Sequence, residues 1–242
     1  MTPQEILNDS SHRPIPLSED PWMIYQEWKE VVFLHWPVQP ELLHHFLPEG
    51  LDLQSYKGNG WVSLVVFRLN NLRPRYLPAL PAVSDSNEIN IRTYVTCKGK
   101  PGIYFLNMEL GKTFTKLIAK TFTGLPYRTS SIEHQEGYYI SRNNDQNDEL
   151  NLQYQAQEKI LDKTELDKWL TERYALFQDH GQNTIIEYEV HHAEWPLHDV
   201  FIQENQLKYD RFSSLIHKEP QCMHYSPGVE VLTWGRKNHR IR

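Results

Sequence analysis

Short apolar runs and apolar/polar alternation cover most of the chain, which predicts a protein built mainly of β-strands. The run EVVFLHW (30–36) lies between charged residues and Pro37 and predicts a buried strand. The segment KGNGWVSLVVFRL (57–69) begins with a glycine turn and continues as a strand that is apolar on both faces. A strand of that kind is expected at the centre of a covered sheet.

The segments EINIRTYVTC (88–97) and IYFLNMEL (103–110) predict a β-hairpin whose loop, KGKPG, has about five residues. In the first of these strands, period-two alternation puts Ile89, Ile91 and Val95 on one face. Its other face is polar, and that face holds Glu88, Asn90, Arg92 and Tyr94. Further alternating strands are predicted at 137–143, 150–156, 183–197, 199–207 and 228–237.

Helical spacing of apolar residues interrupts the strands at three places. A short helix is predicted within QPELLHHFLP (39–48), and a longer one within KTFTKLIAKTFTGLP (112–126), which ends near Gly124. A third is predicted from Thr164, as N-cap, to Phe177. We therefore predict a mainly β protein of the α+β class, an antiparallel β barrel or cone with about three inserted helices.

Composition narrows the possible partners. The net charge of −6 provides no basic surface for nucleic acid or an anionic membrane. The polar start predicts a flexible arm over residues 1–20, followed by a single domain over 21–242. No apolar run is long enough to span a bilayer, so we expect a cytoplasmic protein. Nothing in the sequence specifies an interface, and a homo-oligomer is possible.

Familiar catalytic and metal-binding motifs are missing from the sequence. His44–His45 and His191–His192 are adjacent pairs, and adjacent side chains point apart on a strand or a helix, so neither pair forms a chelate. The two cysteines, Cys97 and Cys222, are expected to be free thiols in a reducing compartment. We predict no metal and no cofactor.

The polar face of 88–95 carries the main functional question. It faces either bulk water, as in a half-exposed antiparallel strand, or an enclosed cavity. The neighbouring strands are apolar on both faces, which favours the cavity. Glu88 and Arg92 lie four residues apart, roughly 13 Å in a strand, so they would bracket a pocket rather than pair directly.

Several blocks of the chain carry a family resemblance. RPRYLPALPAVSDSNEINIRTYV, GKPGIYFLNMEL, GLPY, LTERYAL and WPL, in this order and spacing, resemble the YqjF-like family of uncharacterised conserved bacterial proteins. The resemblance runs from about Trp28 to Trp234. That family is similar in fold to acetoacetate decarboxylase, whose superfamily forms a β cone around a small-molecule cavity, and the resemblance implies the same cone here.

The resemblance also implies residue roles. Glu88 matches the active-site glutamate of the decarboxylases, whereas Tyr127 and Arg128 fall where their lysine pair stands. A Schiff base needs an unprotonated amine, and the arginine guanidinium stays protonated, so imine chemistry is disfavoured. Glu88 is the candidate catalytic residue. The predicted ligand-binding residues are Trp61, Arg73, Asn90, Arg92, Tyr94, Tyr127, Arg128 and His192.

Three functions are compatible with these residues. The first is binding of a small carboxylate or aromatic molecule, with an arginine as clamp and aromatic rings for stacking. The second is a lyase or hydrolase acting on a small oxo acid without an imine, with Glu88 as acid or base and His192 as a possible proton carrier. The third is a structural or partner-binding protein whose cavity is filled by its own side chains.

Overall fold

A computed structural model describes residues 1–79, 84–111, 125–181, 183–217 and 219–241. Within these ranges the α-helices are α1 (Pro3–Asn8), α2 (Pro40–His44) and α3 (Glu165–Thr171), and a 3₁₀ turn spans Asp210–Phe212. The strands are β1 (Ile24–Val38), β2 (Asp52–Leu53), β3 (Gly60–Pro74), β4 (Ser86–Cys97), β5 (Lys100–Leu110), β6 (Tyr127–Thr129), β7 (Ser131–Gln135), β8 (Tyr138–Asn143), β9 (Asp148–Lys159), β10 (Ala175–Asp179), β11 (Thr184–His192), β12 (His198–Lys208), β13 (Cys222–Thr233) and β14 (Lys237–Arg240). None of the helices in these ranges is long and apolar enough to cross a membrane.

Seven strands close into a ring in the order β11, β10, β5, β4, β3, β1 and β13. The ring closes because β13 pairs with β11 as well as with β1, through Val190 opposite Thr233. From β13 the sheet continues outward through β12, β9, β8 and β7. The mainly β fold with a barrel-like or cone-like sheet is confirmed. The ring is not a regular antiparallel barrel, since both β10 and β6 pair in parallel with β5.

Both faces of the ring are covered. Two apolar clusters take residues from all seven ring strands, among them Phe33, Val65 and Ile186, and therefore line the inner face. The opposite, outer face packs against β8 and β9 and holds Val32, Leu64 and the other members of the largest cluster. This layer explains why the sequence of β3 is apolar on both sides.

The β4–β5 hairpin is tighter than predicted. Its loop is only Lys98 and Gly99, because Lys100 and Pro101 already pair with Cys97 and Thr96. Both loop residues have positive φ, 50° and 81°, the conformation of a type I′ turn. That turn matches the twist of the two strands, so pairing begins three residues earlier than the Gly/Pro-rich sequence suggested.

The third predicted helix is shorter than its apolar spacing indicated. Thr164 is the N-cap, as predicted, and its side chain accepts a hydrogen bond from the backbone N–H of Asp167. The helix ends at Thr171, and Ala175–Asp179 forms β10 between β5 and β11. Pairing with two strands that are distant in sequence therefore overrides the helical pattern up to Phe177. The helix predicted within 112–126 lies, from 112 to 124, outside the described residues.

The N-terminal segment, for which composition predicted a flexible arm over residues 1–20, packs against the ring in the structure. Thr2 caps α1 and Ile6 is fully buried. Arg13 donates a hydrogen bond of 2.9 Å to a carboxylate oxygen of Glu189. Partners about 180 residues away supply these contacts, so the composition of the segment alone could not indicate them.

Two glycines allow backbone strain to be separated from steric overlap. Gly228 in β13 has φ of 126°, and a Cβ there would lie 2.0 Å from the carbonyl oxygen of Trp28. Gly58 also has positive φ, 83°, but has open space around it. We expect Gly58→Ala to cost about 1 kcal/mol through strain, and Gly228→Ala to cost about 3 kcal/mol through strain and overlap together. Urea unfolding of both variants measures the difference, and equal costs would contradict the expected overlap.

Candidate functional site

The polar face of β4 lies inside the ring and does not face bulk water. Glu88, Asn90, Arg92 and Tyr94 are only 5%, 2%, 8% and 0% exposed. The opposite face of β4 is buried in the largest apolar cluster, so the ring interior is the only place left for the polar side chains. The structure therefore brings together, in one buried interior, the four residues that the alternation in 88–95 placed on one face.

Glu88 lies between an amide and a phenol. The side-chain N–H of Asn90 donates to a carboxyl oxygen of Glu88 over 3.3 Å. Tyr127 reaches the same carboxyl because β6 adds beside β5, with Tyr127 opposite Met108. Burial, opposed by these polar neighbours, raises the pKa of Glu88 to about 8. At neutral pH this carboxyl is therefore mostly protonated and can donate a hydrogen bond.

The pKa of the Tyr127 phenol rises well above its ordinary value, mainly through burial and then through the nearby Glu88. Both groups therefore hold their protons near neutral pH. One of these protons forms the hydrogen bond between the two groups, so the pair has one donor left for another molecule. The carbonyl oxygen of the Asn90 side chain is buried and has no hydrogen-bond partner among the described residues. The interior thus has an acceptor without a described partner beside one neutral donor.

Two arginines flank Tyr94. Arg92 interacts with the Tyr94 hydroxyl, and its Cζ lies 5.6 Å from the ring centroid of Phe33. The Cζ of Arg173, which follows α3, lies 4.9 Å from the Tyr94 ring centroid and 4.4 Å from that of Trp169. Arg173 was not predicted from the sequence, since the extension of the α3 pattern to Phe177 placed it on a helix surface.

Neither of these arginines has an ion pair within the described residues. Arg173 donates to the Gln54 side chain and to the Trp169 carbonyl, but its Nη2 is buried and has no partner in the part of the chain that the structure describes. The same holds for the Nε of Arg92. Burial lowers the pKa of both guanidinium groups, that of Arg173 to about 10. A guanidinium group keeps its charge in proteins at neutral pH.

A chain of hydrogen bonds leads away from Tyr94 across the ring. The Tyr94 hydroxyl donates to the Leu170 carbonyl over 2.9 Å and lies 2.6 Å from Ser63 Oγ. Ser63 Oγ lies 2.6 Å from Nδ1 of His35, a histidine with no exposed surface whose pKa is lowered well below the usual value by burial. His35 lies in the EVVFLHW run. A histidine inside a predicted buried strand could have identified this position as a buried polar residue from the sequence.

Trp61 is placed at the edge of the interior. Its side chain is 3% exposed, and its indole N–H is buried and has no hydrogen-bond partner among the residues that the structure describes. It also borders a surface depression of about 390 Å³, whose other lining residues are Tyr56, Lys57, Asn59, Thr164, Glu165, Leu166 and Gln221. Trp61 thus lies between the depression and the inner apolar cluster.

Two of the predicted ligand-binding arginines lie elsewhere. Arg128 is paired with Glu109, whose side chain lies on the outer face of the ring. Arg128 follows Tyr127 in β6, so the two side chains point to opposite faces. Arg73 stacks on the ring of Tyr25 with its Cζ 3.9 Å from the centroid, next to the packed N-terminal segment. The structure therefore does not bring Arg128 or Arg73 to Glu88, because strand alternation and the end of β3 direct them outward.

His192 lies in an aromatic cluster at another part of the inner face. Its ring centroid is 4.9 Å from that of Tyr174 and 5.1 Å from that of Trp195. Burial lowers its pKa to about 3. The imidazole is therefore neutral near pH 7, which does not suit the proton transfer that the sequence suggested for it.

Comparison with solved structures defines the class of fold. The chain is similar to an acetoacetate decarboxylase-like enzyme from Sphingomonas wittichii RW1, with a TM-score of 0.63 and 17% identity over 96% of this chain and 99% of that one. It is also similar to the enduracididine biosynthesis enzyme MppR complexed with pyruvate, with a TM-score of 0.60 and 12% identity over 93% and 92% of the two chains. The protein has an acetoacetate decarboxylase-like fold.

Comparison of the sequence identifies the family of the protein. Residues 25–230 match DUF2071, the family described as an uncharacterized conserved protein, and the chain belongs to this family. It is 35% identical over 222 residues to "Uncharacterized protein YqjF" of Bacillus subtilis (strain 168), covering 88% of this chain and 91% of that protein. The resemblance to the YqjF-like family is confirmed, and so is the expected similarity in fold to acetoacetate decarboxylase.

Proposed function

We propose that this protein binds a small carboxylate inside the ring, with Arg92 and Arg173 as its cationic contacts. One observation carries the proposal: two guanidinium groups flank Tyr94, and within the described chain each has a buried nitrogen without a partner and neither has an ion pair. Burying charge without compensation is costly. A ligand carboxylate would supply both the negative charge and the missing acceptors.

The other end of the site supports an oxo acid as ligand. The hydrogen-bonded pair of the protonated Glu88 carboxyl and the Tyr127 phenol can donate one hydrogen bond to a carbonyl or hydroxyl oxygen, and the Asn90 carbonyl can accept one. Tyr94 and Trp169, whose ring centroids are 4.6 Å apart, offer an aromatic wall. The pyruvate complex of the MppR enzyme, a protein with the same fold, supports a small oxo acid.

A second candidate function is a lyase or hydrolase on such an oxo acid without an imine. It is favoured by one property of Glu88: a carboxyl with a pKa of about 8 can act as a general acid near neutral pH. Among the described residues, Tyr127 and no lysine lies next to that carboxyl, which supports a mechanism without a Schiff base. Turnover of an oxo acid that stops in Glu88→Gln but not in an exposed-glutamate variant would support this function.

Calorimetric titration with pyruvate and with benzoate tests the binding proposal. Methyl pyruvate is the matched control, since it keeps the shape and the oxo group but lacks the charge. We expect at least one of the two acids to bind and to raise the unfolding temperature, and the ester to do neither. If no acid binds, the third function, an interior filled by the protein's own side chains, is favoured.

Borohydride reduction in the presence of pyruvate tests the chemistry separately. We expect no covalent adduct, since the proposed contacts are arginines and neutral donors. A stable adduct on Lys100, Lys116 or Lys120 would overturn the exclusion of imine chemistry.

We also propose a cytoplasmic location, supported by the two unpaired cysteines, Cys97 and Cys222, which suit a reducing compartment.

A further inference from the structure

Three potential metal ligands from distant parts of the chain meet beside the ring interior. Asp167 comes from α3, and Cys222 and His224 stand two residues apart at the start of β13, on the face that points toward His35 of β1. Their donor atoms all lie within 4.8 Å of one another. We propose that these three residues bind a zinc ion, a site that is separate from the carboxylate contacts and does not depend on them.

The separations between the donor atoms fit one ion. His224 Nε2 lies 3.0 Å from Asp167 Oδ1 and 3.6 Å from Cys222 Sγ, and the sulfur lies 3.8 Å from that carboxylate oxygen. Tetrahedral ligands at the usual zinc distances are about 3.3 to 3.7 Å apart. Small adjustments, of a few tenths of an ångström, would therefore give each ligand a normal bond to a single Zn²⁺.

The hydrogen-bond chain from Tyr94 fixes which nitrogen of His35 carries the proton. A carbonyl can only accept a hydrogen bond, so the Tyr94 hydroxyl donates its proton to the Leu170 carbonyl. The Ser63 hydroxyl must therefore donate to the Tyr94 oxygen. Ser63 Oγ must then accept from Nδ1 of His35. His35 is fully buried, and its Nε2 is the ring nitrogen that is left to face His224.

His224 is the second histidine of this chain of contacts. Its Nδ1 lies 3.3 Å from Nε2 of His35. Its Nε2 faces a carboxylate oxygen of Asp167 and the sulfur of Cys222, and the Cys222 thiol donates to the same carboxylate oxygen. Three atoms that can each bind a metal therefore converge. Protons hold these contacts together without an ion, and a metal ion that replaces those protons would be bound by all three residues.

The surroundings hold the ligands in place. The other carboxylate oxygen of Asp167 accepts a 2.8 Å hydrogen bond from the backbone N–H of Thr164, which leaves Oδ1 free for the ion. His35 orients the His224 ring through the nitrogen that does not face the site, the usual supporting contact of a metal-bound histidine. Such support matters because misplaced ligands weaken metal binding by about 10- to 100-fold.

A surface depression lies beside the proposed ligands. Its volume is about 390 Å³, and it is lined by Gln221, the residue before Cys222, and by Thr164, Glu165 and Leu166, which precede Asp167 in the chain. Three protein ligands leave the fourth position of a tetrahedral zinc for water. The mixed sulfur, nitrogen and oxygen donor set favours zinc over magnesium or calcium, which prefer oxygen alone.

Metal titration of the full chain tests the site. After dialysis against a chelator, the protein is titrated with ZnCl₂ against a chromophoric zinc indicator, and separately with CoCl₂ while absorbance is recorded. We expect one equivalent of zinc to bind, and Co²⁺ to give a near-ultraviolet charge-transfer band from its thiolate ligand. The Co²⁺ band is read on the wild-type protein and therefore does not depend on any variant folding.

Cys222→Ser and Cys97→Ser form a matched pair, since they remove the two cysteines of the chain one at a time. Cys222→Ser is expected to weaken zinc binding at least about tenfold and to abolish the Co²⁺ band. Cys97→Ser, in the outer apolar cluster, should retain both. Absence of stoichiometric zinc binding, absence of the thiolate band, or unchanged binding by a folded Cys222→Ser protein would each overturn the proposal.

Discussion

Arg92→Met is expected to weaken pyruvate binding by at least about 30-fold, corresponding to about 2 kcal/mol, without lowering the stability of the fold. The guanidinium is 8% exposed, has an unpartnered nitrogen and forms no ion pair with a described residue. A methionine fills similar space and removes a charge that is costly to bury. The same substitution is therefore expected to lower the affinity for pyruvate without lowering the free energy of unfolding.

Calorimetry with pyruvate measures the binding loss, and urea unfolding without ligand measures the stability. Arg142→Met is the matched control because Arg142 is exposed on β8. We expect the control to bind pyruvate as the wild type does. Retained binding in Arg92→Met would remove Arg92 from the site, and a large loss of stability would mean that the guanidinium has a structural role.

Glu88→Gln is expected to make the protein more stable than the wild type at pH 8, but not at pH 5. Burial raises the pKa of Glu88 in the folded state to about 8 from an ordinary value of 4.5. Between these values the unfolded chain releases the proton while the folded protein keeps it, so wild-type stability falls as pH rises. Below pH 4.5 both states are protonated and the difference vanishes.

Glutamine stays neutral in both states and lacks this pH dependence. At about 1.4 kcal/mol per pKa unit, the variant should gain up to about 4 kcal/mol over the wild type between pH 5 and pH 8. Urea unfolding at the two pH values measures the gain, and comparing the same pair of proteins cancels the titration of other groups. Glu149→Gln, an exposed glutamate of β9, is expected to show no such gain. A gain shared by both variants would contradict a buried Glu88.

The local pattern was sufficient for several elements. Alternation in 88–95 predicted the two faces of β4, and doubly apolar residues in 57–69 predicted a central β3, which lies between β1 and β4. Thr164 as N-cap was also readable, because a capping side chain bonds to backbone within three residues. These features depend on neighbours in the chain, so a single sequence contains the information.

The candidate site was only partly predictable. The polar face identified Glu88, Asn90, Arg92 and Tyr94 as one group, and the family resemblance brought Tyr127 to Glu88. Arg128 was placed with them because Tyr127 and Arg128 together match the lysine pair of the decarboxylases, yet adjacent strand residues point to opposite faces. Sequence proximity is therefore a poor guide to which side chains share a site on a strand.

The sequence by itself determined the mainly β class, the polar side of β4 and the family to which the chain belongs. Only the tertiary structure decided that this polar side is buried, that Arg173 joins Arg92 around Tyr94, and that Asp167 meets Cys222 and His224. The physical reason is that these contacts join residues 50 or more positions apart. Strand register and ring closure bring them together, and both depend on the packing of the whole chain rather than on any local pattern.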